Sequence, residues 1–169
     1  FLLTSSINTD LGIQRQLPPP LPKDAEMPEI NRRNVLRILV NMNDQILVNG
    51  EVITDVRQLK DITKDFISNP YSNPKLSDKR SRYIDELGTE VMVSRGVVSL
   101  QNDRSTSYAI YVAVQDQLTM AFNELRNEYA HQNYGMSFDK LSDNLRAGVQ
   151  KVYRISISEA EPSNYGGAK

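Results

Sequence analysis

The chain has 169 residues, enough for one domain of ordinary size with some chain to spare. Twenty Lys and Arg against twenty-one Asp and Glu leave a net charge of -1, so no long-range field collects polyanions, and nucleic acid is excluded as an expected partner. With no Cys and one His, disulfides, thiolate catalysis, Cys-based zinc sites and most other metal chemistry are closed.

The first distinct feature is proline. Five of the eight prolines, Pro18, Pro19, Pro20, Pro22 and Pro28, fall within eleven positions. Each fixes its own φ and restricts its predecessor, which predicts an extended, polyproline-like tether over Leu17 to Pro28. At about 3.1 Å per residue such a segment spans tens of ångströms.

From Asn34 onward a folded domain is expected. Val35 to Val40 is β-branched and apolar, Asn41 to Asp44 has turn chemistry, and Ile46-Leu47-Val48 is a second run; together they predict a hairpin. Asn49-Gly50 breaks that run. Thr54-Asp55 then offers a helix N-cap with Gln58 as reciprocal partner, and Val56, Leu59, Ile62, Phe66 and Ile67 give one apolar face until Asn69-Pro70. Pro70 to Gly96 carries two prolines, two glycines and mixed charge with little periodicity; it reads as an insertion loop with room for one helical turn near Lys79 to Leu87.

Gly96 to Leu100 is the next strand, and Ser105-Thr106-Ser107 supplies caps for a long helix that ends at Gly135. Tyr111, Val114, Leu118, Ala121, Phe122, Leu125 and Tyr129 form its apolar face. A shorter amphipathic segment runs from Phe138 to Val149. Tyr153, Ile155 and Ile157 then alternate with polar residues as a last half-buried strand, Tyr153 to Ser158, before a polar, Gly-rich tail over 159–169. Strands alternating with amphipathic helices predict an α/β two-layer sandwich, a small mixed sheet with helices on one face.

No residue set points to catalysis. His131 lies at the end of the long helix with no nucleophile or ligand at useful spacing, and reads as a solvated or capping residue. Asp85-Glu86 and the Glu159, Glu161 pair read as solvated carboxylates, Lys79-Arg80-Ser81-Arg82 as an exposed basic loop, and Tyr108, Tyr111, Tyr129 and Tyr134 as packing residues. No phosphate-binding glycine loop or nucleophile elbow occurs. A binding or coupling module without enzymatic activity or cofactor is expected.

The order of these features carries a resemblance. The residues are Leu17-Pro18 closing a short segment, the Pro-rich tether, Asn43-Asp44 through Gly50 and Asp55 leading into the first helix, and Val97-Val98-Ser99-Leu100-Gln101-Asn102-Asp103-Arg104 before the second. In this order the chain resembles the periplasmic part of the ExbD/TolR family of biopolymer transport proteins, and looks most like the ExbD-like members of Bacteroidetes. The resemblance implies a homodimer, single-pass and membrane-anchored at the periplasmic side of the inner membrane, working with an ExbB-like proton channel. A TonB-like protein is the implied partner, or peptidoglycan if the chain is TolR-like.

On this reading Phe1 to Leu3 ends a membrane helix and residues 1–33 form the linker. Residues 34–158 form the domain, with 70–96 inserted, and the proton-carrying aspartate lies upstream. Partner contacts are expected at Leu17 and Pro18 of the tether and at Tyr153, Ile155 and Ile157 of the last strand.

Overall fold

The structure, a computed structural model, describes residues 32–160. The expected tether, with Leu17 and Pro18, lies outside the described residues, as do the residues after Ala160.

Strands β1 (Val35–Val40), β2 (Ile46–Val48) and β3 (Glu51–Ile53) form an antiparallel meander. The β1–β2 turn is built by Asn41, whose Oδ1 accepts the N–H groups of Asn43 and Gln45, each at 3.0 Å. Asn49 and Gly50 both take positive φ, 50° and 92°, and return the chain as β3 rather than simply ending β2. An Asn-Gly pair matches the backbone twist of a two-residue hairpin, so the break expected there is in fact a second turn.

Helix α1 (Gln58–Ser68) follows. Asp55 prepares its start, but by accepting the N–H of Arg57 at 2.8 Å and pairing with that guanidinium, not through a capping box with Gln58. Asn69 ends it in the left-handed region, φ 34°, with its N–H on Asp65 O.

The segment expected to be an insertion loop is instead a β-hairpin. β4 (Lys79–Ile84) pairs antiparallel with β5 (Thr89–Ser94) as a separate two-stranded sheet. Of the helical turn expected near Lys79 to Leu87, Lys79 to Ile84 is strand, and the chain turns only at 85–88, where the Gly88 N–H donates to Ile84 O at 2.9 Å. Only Ile84 of β4 is buried, so the strand lacks the apolar alternation that announces one.

The hairpin leads into β6 (Val97–Asn102), which pairs parallel with β1, Val35 opposite Val97 through Val40 opposite Asn102. Helix α2 (Tyr108–Tyr134) starts at Ser107, whose side chain accepts the N–H of Ile110, and stops at Gly135 with φ 68°. A 3-10 turn (Phe138–Lys140) precedes α3 (Asp143–Val152), capped by Ser142. The chain closes the main sheet with β7 (Ile157–Ala160), parallel to β6, giving the order β3-β2-β1-β6-β7.

The α/β sandwich with a mixed sheet is therefore as the pattern predicts. Leu36, Ile38 and Val40 of β1, Ile46 and Val48 of β2, and Val98 and Leu100 of β6 face one side. They pack on Leu59, Phe66 and Ile67 of α1 and on Val114, Leu118, Phe122 and Leu125 of α2. Lys60 and Lys64 of α1 reach Glu124 of α2 at 2.9 Å each, and Lys64 reaches Glu128 at 2.5 Å, fixing the two helices side by side. A smaller cluster of Ala130, Leu141 and Val149 seats α3 against the far end of α2.

Candidate partner-binding edge

In the main sheet β7 is an outer strand: it pairs with β6, and among the described residues no strand pairs with its other side. In a parallel ladder the N–H and C=O of one residue point the same way and those of the next point oppositely. The Ser156 carbonyl accepts the N–H of Val98 at 2.8 Å, so Ser156 and Ser158 address β6. The backbone groups of Ile157 and Glu159 then address the open side. An edge of this kind accepts a further strand through main-chain hydrogen bonds, with side chains adding register.

Side-chain contacts hold this edge in place from the helix side. Ile157 packs on the main core. Glu159, on the same face two residues on, takes the Tyr111 hydroxyl at 2.8 Å and the Gln115 amide at 2.5 Å, both from α2. The hydrogen bond to this carboxylate raises the Tyr111 pKa, with burial adding to it. An open cleft of about 460 Å³ lies beside it, lined by Asn102, Arg104, Ser107, Tyr108, Tyr111 and Glu159 among others.

Of the three residues expected on the last strand, only Ile157 belongs to it. Tyr153 is the C-cap of α3: its N–H donates to Val149 O, and its carbonyl accepts Arg126 Nε at 2.9 Å. Its ring meets Tyr129 edge-on at 6.1 Å, and burial raises its pKa. Ile155 lies in the irregular link before β7 and is 41% exposed. The apparent alternation of Tyr153, Ile155 and Ile157 thus spans a helix end, a link and a strand. The strand also runs on through Glu159 and Ala160, which the sequence reading assigns to the tail. Glu159 is the residue that reading misses here; its signal is the continuation of the Ile157 spacing by two.

The other residues weighed as chemical candidates lie apart. His131 is exposed in the last turn of α2, where its carbonyl accepts the Gly135 N–H at 3.1 Å. Glu86, in the β4–β5 turn, pairs with Lys151, and that bond holds its carboxyl below the usual range. Among the described residues no three His, Asp or Glu side chains are grouped as metal ligands, and no helix is long and apolar enough to cross a membrane.

No curated protein matches the chain. A family model does, that of the biopolymer transport protein ExbD/TolR, over residues 1–126. The match runs from the first residue through the β1–β2–β3 meander, α1, the hairpin and β6, and ends inside α2; α3 and β7 lie beyond it. Covering three quarters of the sequence, it shows that this chain belongs to the ExbD/TolR family of biopolymer transport proteins.

Proposed function

We propose that this chain is the periplasmic domain of an ExbD-like subunit, of the Bacteroidetes type, in an energy-transducing complex of the ExbB-ExbD-TonB kind. In this reading it acts as a homodimer at the periplasmic side of the inner membrane. An ExbB-like channel engages a membrane helix upstream, and proton flow moves the paired domains. They in turn engage a TonB-like protein that drives transport at the outer membrane. The family match over residues 1–126 carries the reading.

Two further features support it. The open edge of β7 offers backbone groups to an extended partner segment, which suits recognition by strand addition. A tether as rich in proline as Leu17 to Pro28 would transmit displacement better than a Gly/Ser chain of equal length. The reading is of a coupling module and not an enzyme: its one imidazole, His131, is exposed at a helix end, away from the edge.

The same family includes TolR-like chains, for which the cell wall is the expected partner. Capture experiments separate the two. The chain is presented in parallel with peptides from the C-terminal region of a TonB-like protein and with purified peptidoglycan. Retention by the peptides alone is the expected result. Retention by peptidoglycan alone would replace the TonB-coupled reading with the TolR-like one.

A further inference from the structure

The hairpin creates a concentration of positive charge that the near-neutral composition hides. A cleft of about 490 Å³ lies where β4 and β5 meet the start of β6 and the end of α3. Arg80 and Arg82 enter from β4, Arg95 from the β5–β6 turn, and Lys151 and Arg154 from the end of α3 and the link after it. Residues up to seventy-four positions apart are thereby gathered around one space.

Two of the five cations are answered. Arg95 faces Asp78 at 3.7 Å, and Lys151 pairs with Glu86, which also feels the charge of Arg82. Arg80, Arg82 and Arg154 have no side-chain hydrogen bond or ion pair among the described residues. The chain carries twenty-one acidic residues, yet Asp78 and Glu86 are the acids paired here. Three guanidinium groups held around one cleft without an ion-pair partner, Arg82 sharing only the field of Glu86 with Lys151, repel each other, an arrangement that an anion relieves.

We propose that this cleft is a binding site for a phosphate-bearing anion. A carboxylate is planar and is matched by one guanidinium fork; a phosphoryl group offers several oxygens in tetrahedral directions. Cations arriving from a strand, a turn and a helix end surround the cleft from several sides, which fits the second geometry. Val35, Val93 and Val97 add an apolar lining to the cleft. The phosphate can come from a lipid headgroup or from a soluble phosphate compound. This inference goes beyond the transport reading and stands whatever binds at β7.

The test uses the 169-residue chain. Pyrophosphate is titrated by calorimetry, and co-flotation is measured with phosphatidylcholine vesicles with and without phosphatidylglycerol. The variant Arg80→Gln/Arg82→Gln/Arg154→Gln removes the three charges that lack an ion-pair partner. Arg37→Gln/Lys75→Gln/Lys140→Gln removes the same charge elsewhere, and circular dichroism confirms that both fold.

Binding that the first variant weakens by roughly 100-fold, about fivefold per charge, while the second leaves it within about twofold, is the expected result. Flotation that pyrophosphate reverses names the lipid as the source; pyrophosphate binding without flotation names a soluble phosphate. Absence of both, equal weakening in the two variants, or poly-glutamate binding as tightly as pyrophosphate would overturn the proposal.

Discussion

Gly148 of α3 faces Leu87 of the β4–β5 turn so closely that a Cβ placed on the glycine would lie 2.6 Å from Leu87 Cγ. The position belongs to a stripe. Asn144, Gly148 and Lys151 follow one another at helical spacing, and Asn144 donates to Glu86 O at 3.1 Å while Lys151 pairs with the Glu86 carboxylate. The hairpin is thus docked on α3 by three contacts, the central one requiring the absence of a side chain.

Gly148→Ala sets two effects against each other. Alanine improves helix propensity by about 1 kcal/mol, whereas overpacking costs typically about 1 to 3 kcal/mol. The clash falls on Leu87 Cδ2 and also on Cγ, which a rotation of the terminal methyls does not remove, so overpacking should win, with a net loss of about 1 kcal/mol and a lower melting temperature. In a Leu87→Ala background the clash is gone and Gly148→Ala should stabilise. Denaturant titration of the four proteins reads this reversal of sign; the same sign in both backgrounds would show that the close approach does not govern the helix.

Asn69 is the joint between α1 and the hairpin. It is 3% exposed, its amide donates to Asn73 O at 3.0 Å and Ser77 O at 2.9 Å, and its Oδ1 accepts the Asn73 N–H at 2.7 Å. Asn69→Asp keeps the shape but replaces both donors with an oxygen facing two carbonyls. The expected loss is about 3 kcal/mol, since a buried charged group without partners costs more than the bonds it replaces. Asn69→Gly, which suits the positive φ and simply deletes the bonds, should cost less. Unfolding free energies in the reverse order would mean that the backbone conformation, and not the amide, is what the position supplies.

What could be read from the sequence is what is local. Ser107 and Gly135 bracket α2 because a cap and a left-handed stop act within one turn, and the turn at Asn41 is set by neighbouring residues, whereas Asn49-Gly50 reads as a break and is a second turn. The β4–β5 hairpin escaped because Lys79 to Tyr83 is exposed on both faces, leaving no period-two apolar signal. The amphipathic segment expected from Phe138 to Val149 is two pieces: Leu141 is extended, and Ser142 starts α3 after it by accepting the Leu145 N–H at 3.3 Å. Of the residues expected on the last strand, only Ile157 lies on it, because the alternation that suggested the strand runs across a helix end and a link. The convergence of Arg80 and Arg82 with Lys151 and Arg154 depends on how the hairpin docks, which no local pattern encodes.

Asp55 gives a pH signature at the start of α1. The Arg57 side chain donates to its carboxylate, followed by the Arg57 backbone N–H, and together they lower its pKa from 3.8 to about 2. A carboxyl depressed on folding adds stability above its unfolded value, and that contribution fades as pH falls from about 4 toward 2. Carbon-detected NMR titration should place the Asp55 midpoint near 2, and Arg57→Ala should move it back toward the ordinary value. The guanidinium is 81% exposed, so high salt should move the midpoint in the same direction. A midpoint unchanged by Arg57→Ala would assign the shift to another group.

The open side of β7 is tested by changing one backbone donor at Glu159. Glu159→Ala removes the carboxylate that Tyr111 and Gln115 hold but keeps the N–H. Glu159→Pro removes both. By the alternation that turns Ser156 and Ser158 toward β6, the Glu159 N–H points outward, where a proline is tolerated on an edge strand. Both variants should therefore melt within a few degrees of each other, each somewhat below the parent. Capture of a TonB-like segment or of a second copy of the chain should survive Glu159→Ala and fail in Glu159→Pro, because strand addition loses a main-chain bond that no side chain replaces. If Glu159→Pro unfolds where Glu159→Ala does not, the donor faces β6 and the edge is inverted. If both variants bind alike, the partner uses another surface and β7 serves only to close the sheet.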